Sequence, residues 1–172
     1  MTKISISQLR KMLKDKKLIF AAWSSQDKFY VSYQQWLQPF KNLFDRTIIF
    51  DPKKYLSIYG KFKMNKMFLD LIKKERPDFI FFWLITDEFS VETLLEVKKI
   101  SPNTKTINFF GDDDERFDNY SRYYSLFFDY CIIYPQLPIE IYKNEGLNHI
   151  FHSCGINTEN FRPLKLEKIY DI

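Results

Sequence analysis

The sequence contains very little glycine. Only four glycines occur in 172 residues, at positions 60, 111, 146 and 155, and no two of them are close together. Neither G-x-G-x-x-G nor G-x-x-x-x-G-K-[ST] is present, and both motifs need closely spaced glycines to bring the backbone against a phosphate. We therefore expect that this chain does not hold a nucleotide as dinucleotide-binding folds do, and we expect no bound cofactor.

Cysteine and long apolar runs are scarce too. Cys131 and Cys154 are the only two cysteines, which is too few for a disulfide framework. No apolar run approaches the ~18 residues that span a bilayer, and the chain begins without the apolar region of a signal peptide. We therefore expect a cytoplasmic protein.

Positive charge is in mild excess, with a net charge of +4. This excess does not by itself indicate nucleic-acid binding, and we expect no nucleic-acid partner. The stretch Lys11-Met-Leu-Lys-Asp-Lys-Lys17 is the densest basic run near the N-terminus. It could favour an anionic membrane surface, or it could be the solvated face of a helix, which is the commoner situation. A peripheral membrane contact therefore stays open.

Hydrophobic residues make up 45% of the chain and aromatic residues 19%, which indicates a folded core. Short apolar runs alternate with helical stretches, as in parallel sheets whose strands are joined by crossover helices. We predict one α/β domain, a Rossmann-like three-layer sandwich with a mostly parallel sheet of about six strands and helices on both faces. The predicted strands are 18–23, 46–50, 78–85, 105–110, 130–134 and 149–152.

Capping residues and prolines predict where the helices begin and end. Ser5 or Ser7 is expected to cap the first helix, and Ser90 a later one. Pro39 should kink the second helical stretch or start its second half. The residues after Pro52 show a less regular pattern, which ends at Asn65, the predicted cap of the next helix. An aromatic-rich helix is predicted over 117–127.

Ligands of such sheets bind at the carboxyl ends of the strands, near the reversal of strand order. Polar residues and glycines that follow the predicted strands are therefore the candidates for substrate binding. These candidates are Ser24, Ser25, Asp87, Glu88, Gly111, Asp114, Gln136 and Gly155.

The run Gly111-Asp-Asp-Asp-Glu115 is the sharpest local signal. Its four adjacent carboxylates repel one another, so they need water, cations or ligand hydroxyls nearby. They could hydrogen-bond sugar hydroxyls, act as a general base, or bind a divalent metal through an Asp-x-Asp pair. The alternative is a solvated loop in which Asp112 or Asp113 caps the next helix. Because the loop follows a central strand, we favour a functional role for it.

Three consecutive segments resemble a known family. They read PDFIFFWLITDE, SPNTKTINFFGDDDERF and FDYCIIYPQLPIEIYKNEGLNHIFHSCGINTENFRPL. In order and spacing they are similar to the spore-maturation-protein (CgeB-like) branch of GT-B glycosyltransferases, over roughly residues 76–172. The branch closes its first domain with Gly-x-[Asn/Asp]-x-x-x-Phe-x-Pro, which corresponds here to Gly155, Asn157, Phe161 and Pro163.

The resemblance implies a division of labour between two Rossmann-like domains that face each other. In this family the N-terminal domain mainly binds the acceptor, the C-terminal domain mainly binds the nucleotide-sugar, and a bound metal is generally not needed. By this resemblance residues 1–165 form the acceptor-side domain, and 166–172 lead into a second domain that the chain does not contain. Asp112 and Asp113 match the family's Asp-Asp pair at the cleft edge, so the resemblance implies that they are catalytic.

The predicted function is therefore the acceptor-binding half of a glycosyltransferase of the hexosyltransferase type, inactive alone. Its expected partners are a nucleotide-sugar-binding domain or chain and a glycan or other acceptor. One alternative is a stand-alone binding or scaffold module, as a homodimer or with a partner over its cleft. Another is a small GT-A-like transferase with Asp112-Asp113-Asp114 as its Asp-x-Asp metal site, which leaves the closing motif at 155–163 unexplained.

Overall fold

The computed structural model describes residues 4–23, 27–111, 113–134, 139–152, 157, 160 and 161, with the backbone alone at 113 and 114. Six parallel strands form one sheet in the order β2-β1-β3-β4-β5-β6. The predicted α/β fold with a parallel sheet is confirmed. The strands are β1 Lys17–Ala22, β2 Arg46–Phe50, β3 Phe79–Trp83, β4 Lys105–Phe110, β5 Tyr130–Ile133 and β6 Ile150–His152.

Helical segments cover both faces of the sheet. In chain order they are α1 Ile6–Leu13, a π-helix Ser32–Leu37, α2 Gln38–Leu43, α3 Pro52–Glu75, α4 Val91–Ile100, α5 Asp113–Arg116, a π-turn Phe117–Ser121, α6 Arg122–Tyr124, a 3₁₀ turn Ser125–Phe127 and α7 Ile139–Asn144. No described helix combines the length and apolar composition needed to cross a lipid bilayer.

Alternate residues of the strands supply two separate cores. Ile19 and Ala21 pack toward α3, α4, the 113–127 segment and α7. Leu18 and Phe20 pack toward α1, the π-helix and α2. Because both faces are covered, β1 over 18–22 and β3 over its whole length are apolar, as expected for a buried parallel sheet. The central strand β4 also buries two polar residues, Thr106 and Asn108.

Most capping predictions are confirmed. Ser5 caps α1 through a capping box with Gln8, which decides between Ser5 and Ser7. Ser90 caps α4 by accepting from the Thr93 N–H at 3.3 Å. Pro39 lies in the first turn of α2, where the π-helix changes to α-helix, so it starts the second half of that stretch.

The prediction for Asn65 is wrong. Helix α3 begins at Pro52, where the Asp51 side chain accepts from the Lys54 N–H at 3.1 Å, so the stretch after Pro52 is helical. A break at Gly60, with φ 77° and ψ 164°, divides α3 into two helical segments. Asn65 lies within the second segment and is buried. Its side chain makes tertiary hydrogen bonds and does not cap a helix.

The predicted helix over 117–127 is also more irregular than expected. Its α-helical hydrogen bonding is interrupted by the π-turn and ends in the 3₁₀ turn. Tyr120 in the π-turn is buried, and its ring packs edge-on against Phe110 at 5.7 Å. The segment therefore places an aromatic side chain close to the end of β4.

Candidate functional site

The strand order reverses between β1 and β3. The chain leaves β1 for β2 on one side and returns to β3 on the other. Loops that follow two such strands diverge, and the crevice between them is the usual ligand site of open α/β sheets. The described residues at this edge are Trp23 after β1, 84–90 after β3, Gly111 after β4 and Tyr134 after β5.

A buried carboxylate organises the loop after β3. Glu88 is only 2% exposed, and its two carboxylate oxygens accept hydrogen bonds from the backbone N–H groups of Ile85 and Thr86, both at 2.9 Å. Side chains that bind nearby backbone amides hold a turn in one conformation. Glu88 was predicted to contact substrate. Its position makes it a residue that shapes the loop from within.

Two neighbouring helical segments hold the same loop from outside. Asn65 donates to the carbonyl oxygen of Glu88 at 3.0 Å and accepts from the Ser90 N–H at 3.0 Å. The Tyr120 hydroxyl donates to the carbonyl oxygen of Thr86 at 2.6 Å. Burial raises the pKa of Tyr120, so the phenol stays protonated and remains a donor at neutral pH. The loop is therefore fixed before any ligand binds.

Sequence reasoning missed both of these positioning residues. Asn65 could have been found, because an asparagine among the apolar residues of a helix is unfavourable unless its side chain has a partner. Tyr120 gave no comparable signal, since it lies in a run with many aromatic residues.

Asp87 presents a carboxylate from this loop to solvent. Its Oδ2 lies 2.5 Å from the Nζ of Lys61 on α3. The hydrogen bond and positive charge of Lys61 lower the pKa of Asp87 against a smaller opposing effect of burial. Asp87 is therefore ionised at neutral pH, and the exposed part of its carboxylate can accept hydrogen bonds from hydroxyl groups.

Half-buried aromatic rings line the same edge of the sheet. Trp83 ends β3 and packs edge-on against Phe109 at 5.3 Å, and Tyr134 also packs edge-on against Phe109, at 5.2 Å. The buried indole N–H groups of Trp23 and Trp36 have no acceptor among the described residues. Buried donors of this kind usually have a partner, so water or a ligand would satisfy them. The aromatic residues at the ends of β1 and β3 were not predicted as site residues.

Gly111 lies beside this aromatic edge. A Cβ added to Gly111 would stand 3.6 Å from Trp83 Nε1, so its backbone runs close to the indole. The backbone of Asp113 and Asp114 forms the start of α5. The other predicted site residues, Ser24, Ser25, Asp112, Gln136 and Gly155, lie outside the described residues, as do the side chains of Asp113 and Asp114. The roles assigned to them stay predictions.

Asn157 of the closing motif contacts the π-helix, and the neighbouring Asn160 contacts the first residue of α2. The buried Asn157 side chain donates to the carbonyl oxygen of Gln34 at 2.7 Å, and Asn160 donates to Oε1 of Gln38 at 2.9 Å. An open pocket of about 580 Å³ lies there. Its lining residues are Lys28, Tyr33, Gln34, Gln38, Asn160 and Phe161. This lining is rich in hydrogen-bonding groups, which suits a polar ligand.

No protein-family model, curated protein or solved structure matches this chain. The resemblance to the glycosyltransferase branch therefore stays a prediction that depends on the residues themselves.

Proposed function

We propose that this chain is the acceptor-binding half of a glycosyltransferase that moves a sugar from a nucleotide-sugar to an acceptor. One observation supports this most directly: the carboxyl end of β3 combines the half-buried indole of Trp83 with the ionised carboxylate of Asp87. Small-molecule sites combine apolar or aromatic surface with a few oriented polar groups. A sugar offers both an apolar ring face and hydroxyl donors, which are the groups that an indole ring and a carboxylate bind.

Two further features support the division of labour. The chain has no glycine-rich phosphate loop, so the nucleotide of the donor is assigned to another domain or chain. The loop with Asp87 is held by Glu88, Asn65 and Tyr120, which keeps its polar groups in place for binding. Sugar transfer also needs an oriented donor, so the chain by itself is inactive.

Tryptophan fluorescence titrations with mono- and oligosaccharides, and separately with nucleotide-sugars, test the proposal. We expect saturable saccharide binding that Asp87→Asn weakens about tenfold, since hydrogen bonds to charged groups contribute about 1.5–3 kcal/mol. Asp70→Asn, an exposed aspartate on α3, is the matched control and should bind normally. Tight nucleotide-sugar binding without saccharide binding, or sugar transfer by the chain alone, would refute the proposal.

A stand-alone interaction module is the second candidate, favoured by the end of the sheet at β6. Tyr130 and Phe151 are both exposed, and their rings lie 6.1 Å apart on neighbouring strands. Exposed apolar groups on an edge strand are a common place for chain–chain pairing. This candidate predicts a dimer in sedimentation analysis that Phe151→Ser dissociates. Sedimentation as a monomer at all concentrations would rule out this candidate.

A further inference from the structure

Helix α3 exposes apolar and basic side chains together. Residues 52–69 contain five lysines and no acidic residue. Phe62 is 86% exposed, and Ile58 and Tyr59 are 57% and 43% exposed. Among the described phenylalanines only Phe29, at 92%, is as exposed as Phe62, and most of the others are buried in the two cores.

The exposure of Phe62 follows from the face of α3 on which it lies. Gly60, with φ 77°, interrupts α3 between Tyr59 and Lys61. Beyond the break, Met64, Phe68 and Ile72 enter the core at helical spacing. Phe62 does not belong to that face, and its ring is exposed to solvent. Ile58 and Tyr59, which come shortly before it in the chain, are exposed as well.

Most lysines in this part of α3 form no ion pair with a carboxylate of the described residues. Lys53 lies over the ring of Trp23 at 4.8 Å, and Lys63 lies over the ring of Tyr59 at 4.6 Å. A cation–π contact attracts a cation without neutralising it. Lys61 pairs with Asp87, while Lys54 and Lys66 form no ion pair with any carboxylate in the described part of the chain.

The N-terminal basic stretch differs in this respect. Lys16 pairs with Asp78 at 3.0 Å, and Lys17 pairs with Glu75 at 3.2 Å. Lys14 lies 3.9 Å from Asp15. Most of the charge that predicted a membrane contact for this stretch is thus balanced locally. Helix α3 therefore has more positive charge that no nearby carboxylate balances than the N-terminal stretch has.

A mostly apolar groove of about 660 Å³ adjoins Phe62 between α3 and the start of α4. Phe62 and Leu69 line it with Lys61 and Lys66, and Glu92 is the acidic residue among its lining. The exposed apolar surface therefore continues from Phe62 into a concave region that could receive acyl chains.

We propose that the exposed side chains of α3 from Lys53 to Lys66, the α3 patch, dock on an anionic lipid bilayer. Helices that lie on membranes combine lysines with aromatic and aliphatic side chains that enter the boundary between headgroups and acyl chains. Anionic leaflets attract clustered lysines near the surface. A nucleic acid would match the charge, but it would leave the aliphatic Ile58 and the adjoining apolar groove without a partner.

The α3 patch borders the carboxyl edge of the sheet. Lys53 contacts Trp23 after β1, and Lys61 contacts Asp87 after β3. Docking would therefore hold the candidate site next to the lipid surface. The inference depends on the charge and exposure of α3 and does not depend on the proposed sugar chemistry.

Cosedimentation of the full chain with vesicles tests the inference. Vesicles of phosphatidylcholine mixed with phosphatidylserine are compared with vesicles of phosphatidylcholine alone. We expect binding to the anionic vesicles only, reduced at least about fivefold by Phe62→Ser and by the double variant Lys63→Glu, Lys66→Glu. The double variant Lys11→Glu, Lys14→Glu has the same change in charge and is the matched control, with less than about a twofold effect.

Added salt should release the chain, because ions screen contacts between exposed charges. Thermal unfolding followed by circular dichroism checks that each variant is folded, which the exposure of the substituted side chains predicts. Equal binding to neutral vesicles, an equal loss in the N-terminal control, or no loss in the two α3 variants would overturn the inference. Capture of a single-stranded or duplex oligonucleotide while the vesicles stay unbound would also overturn it.

Discussion

Asn65 donates a hydrogen bond from its side-chain amide to the backbone carbonyl oxygen of Glu88, 3.0 Å away. Both residues are buried, and the same amide group accepts from the N–H of Ser90. Through this contact, the second segment of α3 holds the loop that follows β3. The geometry of the candidate site therefore depends on a helix that comes before β3 in the chain.

Asn65→Ala should destabilise the protein by about 2–4 kcal/mol, because it leaves a buried carbonyl oxygen and a half-buried N–H without partners. Urea denaturation measures the loss. Asn148→Ala is the control, since Asn148 is exposed and its side-chain hydrogen bond to Gly146 is 3.4 Å long; we expect a change within about 0.5 kcal/mol. Equal stability of the two variants would show that Asn65 does not hold the loop.

Asp129 should make stability depend on acid pH. Burial raises the pKa of its carboxyl, but the hydrogen bond and charge of Lys98, with hydrogen bonds from the N–H and hydroxyl of Thr106, together hold this pKa below its ordinary value. A lowered pKa in the folded state stabilises the protein above the unfolded-state pKa of about 3.9. That contribution is lost as pH falls through the lower folded-state value.

Asp129→Asn should therefore cost about 1–3 kcal/mol at neutral pH and should flatten the fall in stability below pH ~4. Urea denaturation at a series of pH values measures both effects. Asp15→Asn, at an exposed position, should leave stability at neutral pH nearly unchanged. An Asp129→Asn profile parallel to that of the parent chain would contradict the assignment.

Two glycines should respond differently to alanine. The backbone of Gly60, with φ 77° and ψ 164°, lies in a region that is essentially restricted to glycine, so Gly60→Ala should cost about 1–3 kcal/mol. An added Cβ meets nothing within 4 Å there, so the cost comes from the backbone. At Gly111, where φ is not positive and the Cβ would make ordinary contacts, alanine should be neutral or mildly stabilising. Thermal unfolding of the two variants measures this difference in stability.

Asn157 should anchor the closing motif to the π-helix. Asn157→Ala removes a donor to the carbonyl oxygen of Gln34 and should cost about 1–3 kcal/mol. It should also change tryptophan fluorescence, because Trp36 belongs to the same π-helix. Asn160→Ala, whose hydrogen bond to Gln38 is exposed, should change stability by less than about 0.5 kcal/mol. A larger loss of stability in Asn160→Ala than in Asn157→Ala would contradict this prediction.

The strands show how much of the sheet could be predicted from local sequence pattern. The bounds of β2 and β4 agree with the prediction, because each strand pattern ends at residues that suit turns or caps. The third strand was predicted over 78–85 but ends at Trp83. Leu84 is still buried, although it belongs to the loop that Glu88 holds. Apolar character reports burial, and it cannot show where ladder hydrogen bonding stops.

The helices show what local sequence pattern could not predict. Asp51-Pro52 is a strong helix start, since aspartate caps helices and proline suits the first turn. The pattern after Pro52 is less regular, so this helix start was not predicted. Asn65 has the chemistry of a cap, and nothing within its own segment shows that its partners are Glu88 and Ser90. A polar residue in an apolar helix indicates that a partner exists but does not identify it.

The α/β class, the six strands and most caps followed from local pattern, because alternation of apolar runs and capping chemistry act within a few residues. Only the assembled sheet decided which polar groups meet. The order β2-β1-β3 places the reversal between β1 and β3, and α3 then brings Lys61 to Asp87 and Asn65 to the loop beside it. These contacts join residues more than twenty positions apart, so they depend on the packing of whole elements and not on the residues next to them in the chain.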